Sequence, residues 1–332
     1  MRVLVTGGGG FIGSHLVERL VSDGATVVVI DDFSTGSRRN LAGIDPTRLT
    51  VVEARVQDAG VIDDATVGGI DLVFHLAAAV GVFEILRRPL ECLRTNLDAA
   101  EAVFEWGSRD GIRTVFTSTS EVYGKNGKDR LHETDDSVYG PTTARRWLYA
   151  VSKATDEFMA LASHREAGLP VSIARLFNTI GPRQTGAYGM VVPRLVEQAL
   201  TGRPLTVYGD GRQTRCFTNV HDAVEALVRI AATPATIGQV VNVGQPSEIT
   251  IRGLAELIKA TTDSPSPVEL VPYAEAYEPG FEDMQRRAPD VALLRELTGF
   301  APDTPLAATI DEIVAWMRGE LGMPGTPLAA PA

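Results

Sequence analysis

The sequence predicts an α/β fold built on a doubly wound parallel sheet, followed by a smaller C-terminal α/β lobe. Three observations predict it. Short β-branched apolar runs alternate with amphipathic stretches through the first half of the chain. A glycine cluster, Gly7 to Gly10, follows the first of those runs directly. After about Asn178 the texture changes to more Pro, Gly and Arg, with shorter elements.

The runs read as strands over Arg2–Thr6, Ala25–Asp31, Leu49–Val56, Asp71–Ala77, Thr114–Thr119 and Val171–Phe177. Their near-continuous apolar character suits parallel strands covered on both faces. Between the first two, Ile12, Leu16, Val17, Leu20 and Val21 recur at helical spacing, and Gly24 stands where a helix C-cap glycine belongs. The opening is therefore strand, glycine turn, helix, strand. Further on, Gln239–Val243 reads as a strand returning to the sheet. A helix is expected over Ile251–Thr261 with Thr250 as its cap, and another over Leu306–Leu321, where Ile310, Ile313, Val314 and Met317 form a stripe. These boundaries divide the chain into a dinucleotide-binding domain over 1–178, with contributions from about 215–245, a substrate-binding lobe over 179–321, and a disordered tail over 322–332, GMPGTPLAAPA, which has no periodicity.

The chain has 332 residues, 44% hydrophobic and 22% charged, the composition of an ordinary globular protein. With 31 Lys+Arg against 42 Asp+Glu its net charge is −11, which excludes sequence-independent nucleic-acid binding, an affinity that comes from cations neutralising phosphates. Any phosphate must be held in a local basic pocket. The two cysteines, Cys92 and Cys216, form no CxxC pair, so a reducing, cytoplasmic setting fits better than a disulfide framework or a zinc cluster. The five histidines show no HExxH or other metal spacing, and no metal is expected. No apolar run approaches the ~20 residues of a membrane span, and MRVLVTGG lacks the length and cleavage site of a signal peptide.

Within VTGGGGFIGSHL, Gly7, Gly10 and Gly13 have GxxGxxG spacing after a strand and at the opening of a helix. Such glycines let the backbone approach a pyrophosphate, which rests on the partial positive charge of the helix N-terminus. Asp31 ends the second strand 18 residues after Gly13, close to the spacing of the carboxylate that accepts from the adenosine ribose hydroxyls. A carboxylate there repels a 2′-phosphate, so the cofactor should be NAD. A P-loop is excluded, because no Lys-Ser or Lys-Thr follows the glycines.

TSTSEVYG, Thr117–Gly124, ends the fifth strand, at the sheet edge where open α/β folds place ligands. YAVSK then sets Tyr149 and Lys153 four residues apart, on one face of a helix. A phenol ionises near pH 10; a neighbouring ammonium and a positive nicotinamide ring would lower that and make a phenolate base near pH 7.

With these residues in place the chain resembles the extended short-chain dehydrogenases/reductases, specifically the nucleotide-sugar epimerase/dehydratase/decarboxylase group with its Rossmann-type fold. The resemblance runs from Arg2 to about Leu321 and rests on TGGGGFIG, HLAA, TN at Thr95–Asn96, TSTSEVYG, YAVSK, RLFNTIGPR, PLTVYGDG and QTRCF. It implies cofactor contacts from Gly7, Gly10, Phe11, Ile12, Gly13, Asp31, Asp32, Leu76, Ala77, Ala78, Asn96, Tyr149 and Lys153. Asn96 resembles the family asparagine that helps position the reacting groups, or could equally cap a helix start. Tyr149 would take the 4-hydroxyl proton, Lys153 would orient the phenolate and the ribose, and Thr119 would hydrogen-bond the reacting oxygen while C4 gives its hydride to NAD. Asn178 resembles a ligand of the substrate diphosphate and Arg215 its nucleotide anchor; Arg183 could be a further anchor or a surface ion pair. PLTVYG, with Tyr208, would meet a uracil ring, and Val192 belongs to the same implied substrate site. The resemblance also implies a homodimer paired through the helices before Gly111 and from Trp147 onward.

Residues near C5 and C6 decide the fate of the 4-keto sugar. Ser120-Glu121 matches the Ser-Glu of glucuronate decarboxylases, Arg146-Trp147 resembles their Arg-Trp, and Arg287 matches a late arginine that acts at the sugar carboxylate. DDFSTG and GPRQTGAYGMVVP resemble chains called UDP-glucose 4-epimerases. The sequence-based expectation is an NAD-dependent 4-epimerase of a UDP-hexose or UDP-hexuronate, with UDP-glucuronate decarboxylation as the alternative, and a 4,6-dehydratase or a non-catalytic NAD-binding protein behind them. One departure stands out. Relatives carry Gly-Asp-Ile or Gly-Asp-Val where this chain reads Ala54-Arg55-Val56, so the carboxylate that meets adenine is missing.

Overall fold

Seven parallel strands form the central sheet in the computed structural model, which describes residues 1–80, 87–186, 190–276 and 284–323. The strands are β1 (Arg2–Thr6), β2 (Thr26–Asp31), β3 (Leu49–Glu53), β4 (Leu72–His75), β5 (Arg113–Thr119) and β6 (Val171–Leu176), with Val240–Val243 at the far edge. Their spatial order is β3-β2-β1-β4-β5-β6 and then Val240–Val243, so the chain works outward from β1 to β3 before crossing back to β4. That reversal opens a crevice at the carboxyl ends of β1 and β4, where ligands of doubly wound folds bind.

Neighbouring residues of a strand face opposite sides of the sheet, and the two sides have separate cores. Val3, Val5, Val27 and Val29 pack against Leu16, Val17 and Leu20 of the helix Phe11–Ser22 and Val224, Leu227 and Ile230 of the helix Val220–Ala232. Leu4, Val28 and Ile30 face Ala99, Val103 and Phe104 of the helix Pro89–Arg109 and Ala160 of the helix Leu148–Ala167. Each such side chain, removed from water, contributes about 1.5–3 kcal/mol. A third core joins Val192, Leu195 and Val196 to Leu205, Leu254, Ile258, Ile310, Ile313 and Met317 beyond the sheet.

Most of the expected elements are present, with local differences. Gly24 has φ +89° immediately after the first helix, a conformation that a side chain resists. Thr250 Oγ1 accepts from Gly253 N at 3.0 Å and caps a helix over Ile251–Thr262, and the last described helix is Leu306–Glu320. β3 stops at Glu53 rather than Val56: after Ala54 N bonds Asp31 O, Asp58 N turns back to Arg55 O. β4 likewise ends at His75, and Leu76–Ala78 leave it as loop at the cavity wall. Residues 324–332 of the expected tail lie outside the described residues.

Candidate active site

A cavity of about 790 Å³ runs along the carboxyl edge of the sheet, from the glycine turn to the third core. At one end lie Gly7, Gly10, Phe11, Ile12 and Gly13. Gly7 has φ +74°, and a Cβ added there would stand 2.7 Å from Ala77 N; one on Gly13 would stand 2.1 Å from Gly7 O. Gly10 begins the helix Phe11–Ser22 with no side-chain cap, leaving its N–H groups to a ligand. This cradle, closed to side chains and rich in backbone donors, fits a pyrophosphate.

Asp31 closes the same end. Its Oδ2 accepts from Gly9 N and its Oδ1 from Phe33 N, both at 2.8 Å. Burial pushes this carboxyl above its ordinary value, and those two bonds partly offset the shift. Asp32 accepts from Ser34 and lies 3.8 Å from Arg55 Nε. Arg55 therefore lines the cavity where relatives' carboxylate is expected, paired to the neighbouring acid. Asn40, which motif reading passes over, donates to Gly9 O at 2.9 Å and braces the turn.

Thr119, Ser120 and Glu121 leave β5 through a 3-10 turn, Ser120–Tyr123, in which Thr119 Oγ1 accepts from Glu121 N at 3.2 Å. The turn faces Tyr149 and Lys153 of the helix Leu148–Ala167, and all five residues line the cavity. The Thr119 hydroxyl is in hydrogen-bonding reach of the Tyr149 oxygen. The expected lowering of the Tyr149 phenol by Lys153 is not found in the protein alone. Burial, then the charges of Glu121 and Asp156, push it above the ordinary phenol value against the Thr119 contact and Arg287. Lys153 instead turns to Asp156 Oδ2 at 3.2 Å.

Glu121 sits between two arginines: Arg287 Nη1 donates to one oxygen, and Arg146 Nη2 lies 2.7 Å from the other. Burial would raise this carboxyl, but the two guanidiniums outweigh it and hold it at about 2. Arg287 Nη2 also donates to Asn178 Oδ1 at 2.7 Å, while Asn178 Nδ2 donates to Cys216 O at 2.9 Å. Asn178 thus faces the cavity with its oxygen committed and one amide hydrogen in hand.

At the far end Tyr208, Arg215, Gln213 and Tyr273 line the wall, with Arg194 stacked 4.1 Å from the Tyr208 ring centroid. Gln213 Nε2 donates to Tyr208 O and Tyr273 Oη. Tyr273 and Gln213 carry no motif signal. Arg183 lines the cavity and pairs with Glu18 at 2.8 Å, the ion pair that was one of its two expected readings. Cys216 is buried, and burial pushes its thiol up to about 12, the behaviour of a packing residue.

Two expected site residues are placed elsewhere. Val192 is 1% exposed in the third core and does not line the cavity; its neighbours Met190 and Val191 do, because a helix turns adjacent residues apart. Asn96 is neither a cap nor a cavity residue. It lies within the helix Pro89–Arg109, buried, where its Oδ1 accepts from Ala79 N at 2.7 Å and its Nδ2 donates to Ser152 Oγ at 3.2 Å. It acts on the site by tying the loop after β4 to the Tyr149 helix. Among the described residues no His, Cys, Asp and Glu group is placed to hold a metal ion, and no helix is long and apolar enough to cross a membrane.

Comparison with known proteins agrees with this geometry. Residues 3–244 match the NAD dependent epimerase/dehydratase family. UDP-N-acetyl-alpha-D-glucosaminuronate decarboxylase of Bacillus cytotoxicus is 39% identical over 96% of this chain and 98% of its own length. UDP-glucuronic acid decarboxylase 1 of Danio rerio is 34% identical over 96% of this chain and 73% of its own. Among solved structures, UDP-glucose 4-epimerase of Thermotoga maritima with UDP-glucose superposes with a TM-score of 0.86 at 28% identity, covering 97% of this chain and all of that one. Glycine cradle, strand-end carboxylate, Thr-Tyr-Lys face and matched sequence converge: the chain belongs to the NAD-dependent epimerase/dehydratase family, with NAD as its cofactor.

Proposed function

We propose that this chain is a UDP-hexuronate decarboxylase that shares its first step, oxidation at C4, with the epimerases. The observation that carries the reading is the charge count at the catalytic centre. Arg146 and Arg287 surround Glu121, two positive charges against one negative, and the Nε atoms of both arginines are buried without a hydrogen-bond partner among the described residues. One further carboxylate balances that cluster, and a guanidinium fork is its natural partner. A neutral hexose leaves a buried positive charge unmatched. The names of the two curated relatives support the same choice, which outweighs the epimerase expected from sequence.

NAD, when bound, supplies the hydride acceptor for C4 and returns the hydride later. Within the chain, Tyr149 receives the proton of the C4 hydroxyl and Thr119 holds the same oxygen. Lys153 carries the positive charge that favours the phenolate and meets the cofactor ribose. Arg287 and Arg146 hold the carboxylate at C5, with Glu121 fixing both guanidiniums. Once C4 is a ketone that carboxylate is β to it. The C5–C6 bond then breaks, its electrons pass to an enolate on the C4 oxygen, and C5 takes a proton as CO2 leaves. Ser120 and Glu121 border this step. Asn178, Arg215 and Tyr208 hold the diphosphate and uridine end, and Gly7, Gly10, Phe11, Ile12, Gly13, Asp31, Asp32 and Leu76–Ala78 hold NAD. The domain division at about residue 178 places the chemistry at the seam between a cofactor half and a substrate lobe. A cytoplasmic homodimer completes the reading: Val151 and Phe158, 42% and 76% exposed on the Tyr149 helix, and Leu90, 58% exposed on the helix beside it, suit a second copy.

The test incubates purified protein and NAD separately with UDP-glucuronate, UDP-N-acetylglucosaminuronate and UDP-glucose. CO2 is expected from an acid, with a UDP-pentose left from UDP-glucuronate or a UDP-2-acetamido-2-deoxypentose from UDP-N-acetylglucosaminuronate. A galacto-configured product from UDP-glucose, with no CO2 from the acids, would establish epimerisation instead. Light scattering of the eluted protein reads the dimer.

A further inference from the structure

The chain has four lysines, Lys125, Lys128, Lys153 and Lys259, and Lys153 alone is buried, at 2% exposed. Its ammonium lies 3.9 Å from the Phe116 ring centroid and 3.2 Å from Asp156 Oδ2, one turn along the same helix. Asp156 is itself 1% exposed, and apart from this ion pair neither of its oxygens has a hydrogen-bond partner among the described residues. Other polar groups nearby are committed elsewhere. Glu157 pairs with Arg175 at 2.6 Å and accepts from Ser118. His75 of β4 is bonded to Thr6 at 2.6 Å, and burial, then Lys153, hold it at about 3, so it is neutral at working pH. Asn96 bonds Ala79 and Ser152. Among the described residues Asp156 is left with Lys153 as its one ionic contact.

A lysine on an aromatic face and out of water tends to lose its proton, and burial pulls Lys153 below its ordinary value while Asp156, and after it the charge of Glu157, oppose the change. Burial pushes Asp156 the other way, and Lys153 opposes that in turn. We infer that Asp156 is a positioning residue that holds Lys153 in its ammonium form, the form in which it can serve the cofactor ribose and favour the Tyr149 phenolate. The inference rests on the catalytic reading of Tyr149 and Lys153 given above. It has a signature that a packing role lacks. After burial and Glu121, the Asp156 charge makes the Tyr149 phenol harder to ionise. Removing it therefore eases ionisation of the base and at the same time lets Lys153 discharge, and both limbs of the activity profile move to lower pH.

The experiment labels the NAD-loaded protein with 13Cε-lysine and follows its four lysine signals against pH, with Lys153→Ala identifying the relevant one. In wild type Lys153 is expected to stay charged across the whole pH range of turnover. In Asp156→Asn its midpoint should fall by at least about one unit, the lower end for an opposite charge at this range, and Asp156→Glu should restore it. Turnover against pH in the same variants should show both limbs displaced together. An unchanged Lys153 midpoint in Asp156→Asn, a uniform loss of activity at every pH, or no rescue by Glu overturns the proposal. If Asp156→Asn does not fold, wild type still decides: a Lys153 midpoint below the pH of maximal turnover overturns it. The lysine signals need no sugar, so failure to turn over any uronate counts against the reaction and leaves the ion pair to be judged by itself.

Discussion

Arg287 and Glu121 are 166 residues apart in sequence and meet as an ion pair at the end of β5, with Arg287 also reaching Asn178 at 2.7 Å. A single guanidinium thereby joins the turn that carries Thr119 to Asn178 on the cavity wall. Arg287→Met should lower kcat/KM for a UDP-hexuronate by about 10²–10³, the usual consequence of removing one charge-stabilising donor. NAD binding should not change, because among the described residues the hydrogen bonds of Arg287 go to Glu121 and Asn178 and none goes to the glycine cradle. Steady-state kinetics beside NAD titration separates the two, and a comparable loss of NAD affinity would contradict this placement.

Glu121 also has a defined acid signature. Its folded-state value, about 2, lies below the ordinary carboxyl value, so it contributes stability that is complete above about pH 4.5 and is lost as pH falls through about 2. Urea unfolding of wild type and Glu121→Gln should therefore differ by the same amount at pH 7 and pH 5. The difference should narrow only below about pH 4. A difference already gone at pH 4.5 would show that the carboxylate is not held by its two arginines.

Tyr149→Phe removes the proton acceptor and little else, since Thr119 keeps its bond to the Glu121 amide. We expect kcat to fall by about 10²–10⁴, the range of general acid–base contributions, with folding and NAD content intact. Turnover within tenfold of wild type would reassign the base.

Space around the glycines makes a paired prediction. A Cβ on Gly13 would stand 2.1 Å from Gly7 O, backbone that cannot swing away, whereas Gly43 has nothing within 4 Å and no positive φ. Gly13→Ala should cost more than about 2 kcal/mol and abolish NAD binding, while Gly43→Ala should lie within about 0.5 kcal/mol of wild type. Equal effects in urea unfolding would mean that the turn is not closed as described.

Much of the cofactor half was legible because its signals are local. A glycine turn needs contiguous residues, a strand-end acid follows at a fixed interval, and Tyr149 and Lys153 share a helix face by spacing alone. Val192 was misplaced for a local reason as well: a one-residue step on a helix separates a core side chain from a cavity side chain, and apolar neighbours on both sides hide which is which. Asn96 does not line the cavity as a direct cofactor contact would, and the partners through which it acts, Ala79 and Ser152, come from other elements. Gln213 and Tyr273 have meaning only through the wall they share.

By itself the sequence determined the alternation of strands and helices, the glycine cradle, Asp31 and the Tyr-Lys face, all encoded within a few tens of residues. Only the tertiary structure decided what surrounds the reacting carbon. It clamped Glu121 between arginines from two other segments, tied Asn178 to one of them, and buried Asp156 against Lys153. Charge balance in a buried site depends on distances of a few ångströms between residues far apart in the chain, and spacing along the chain does not contain those distances.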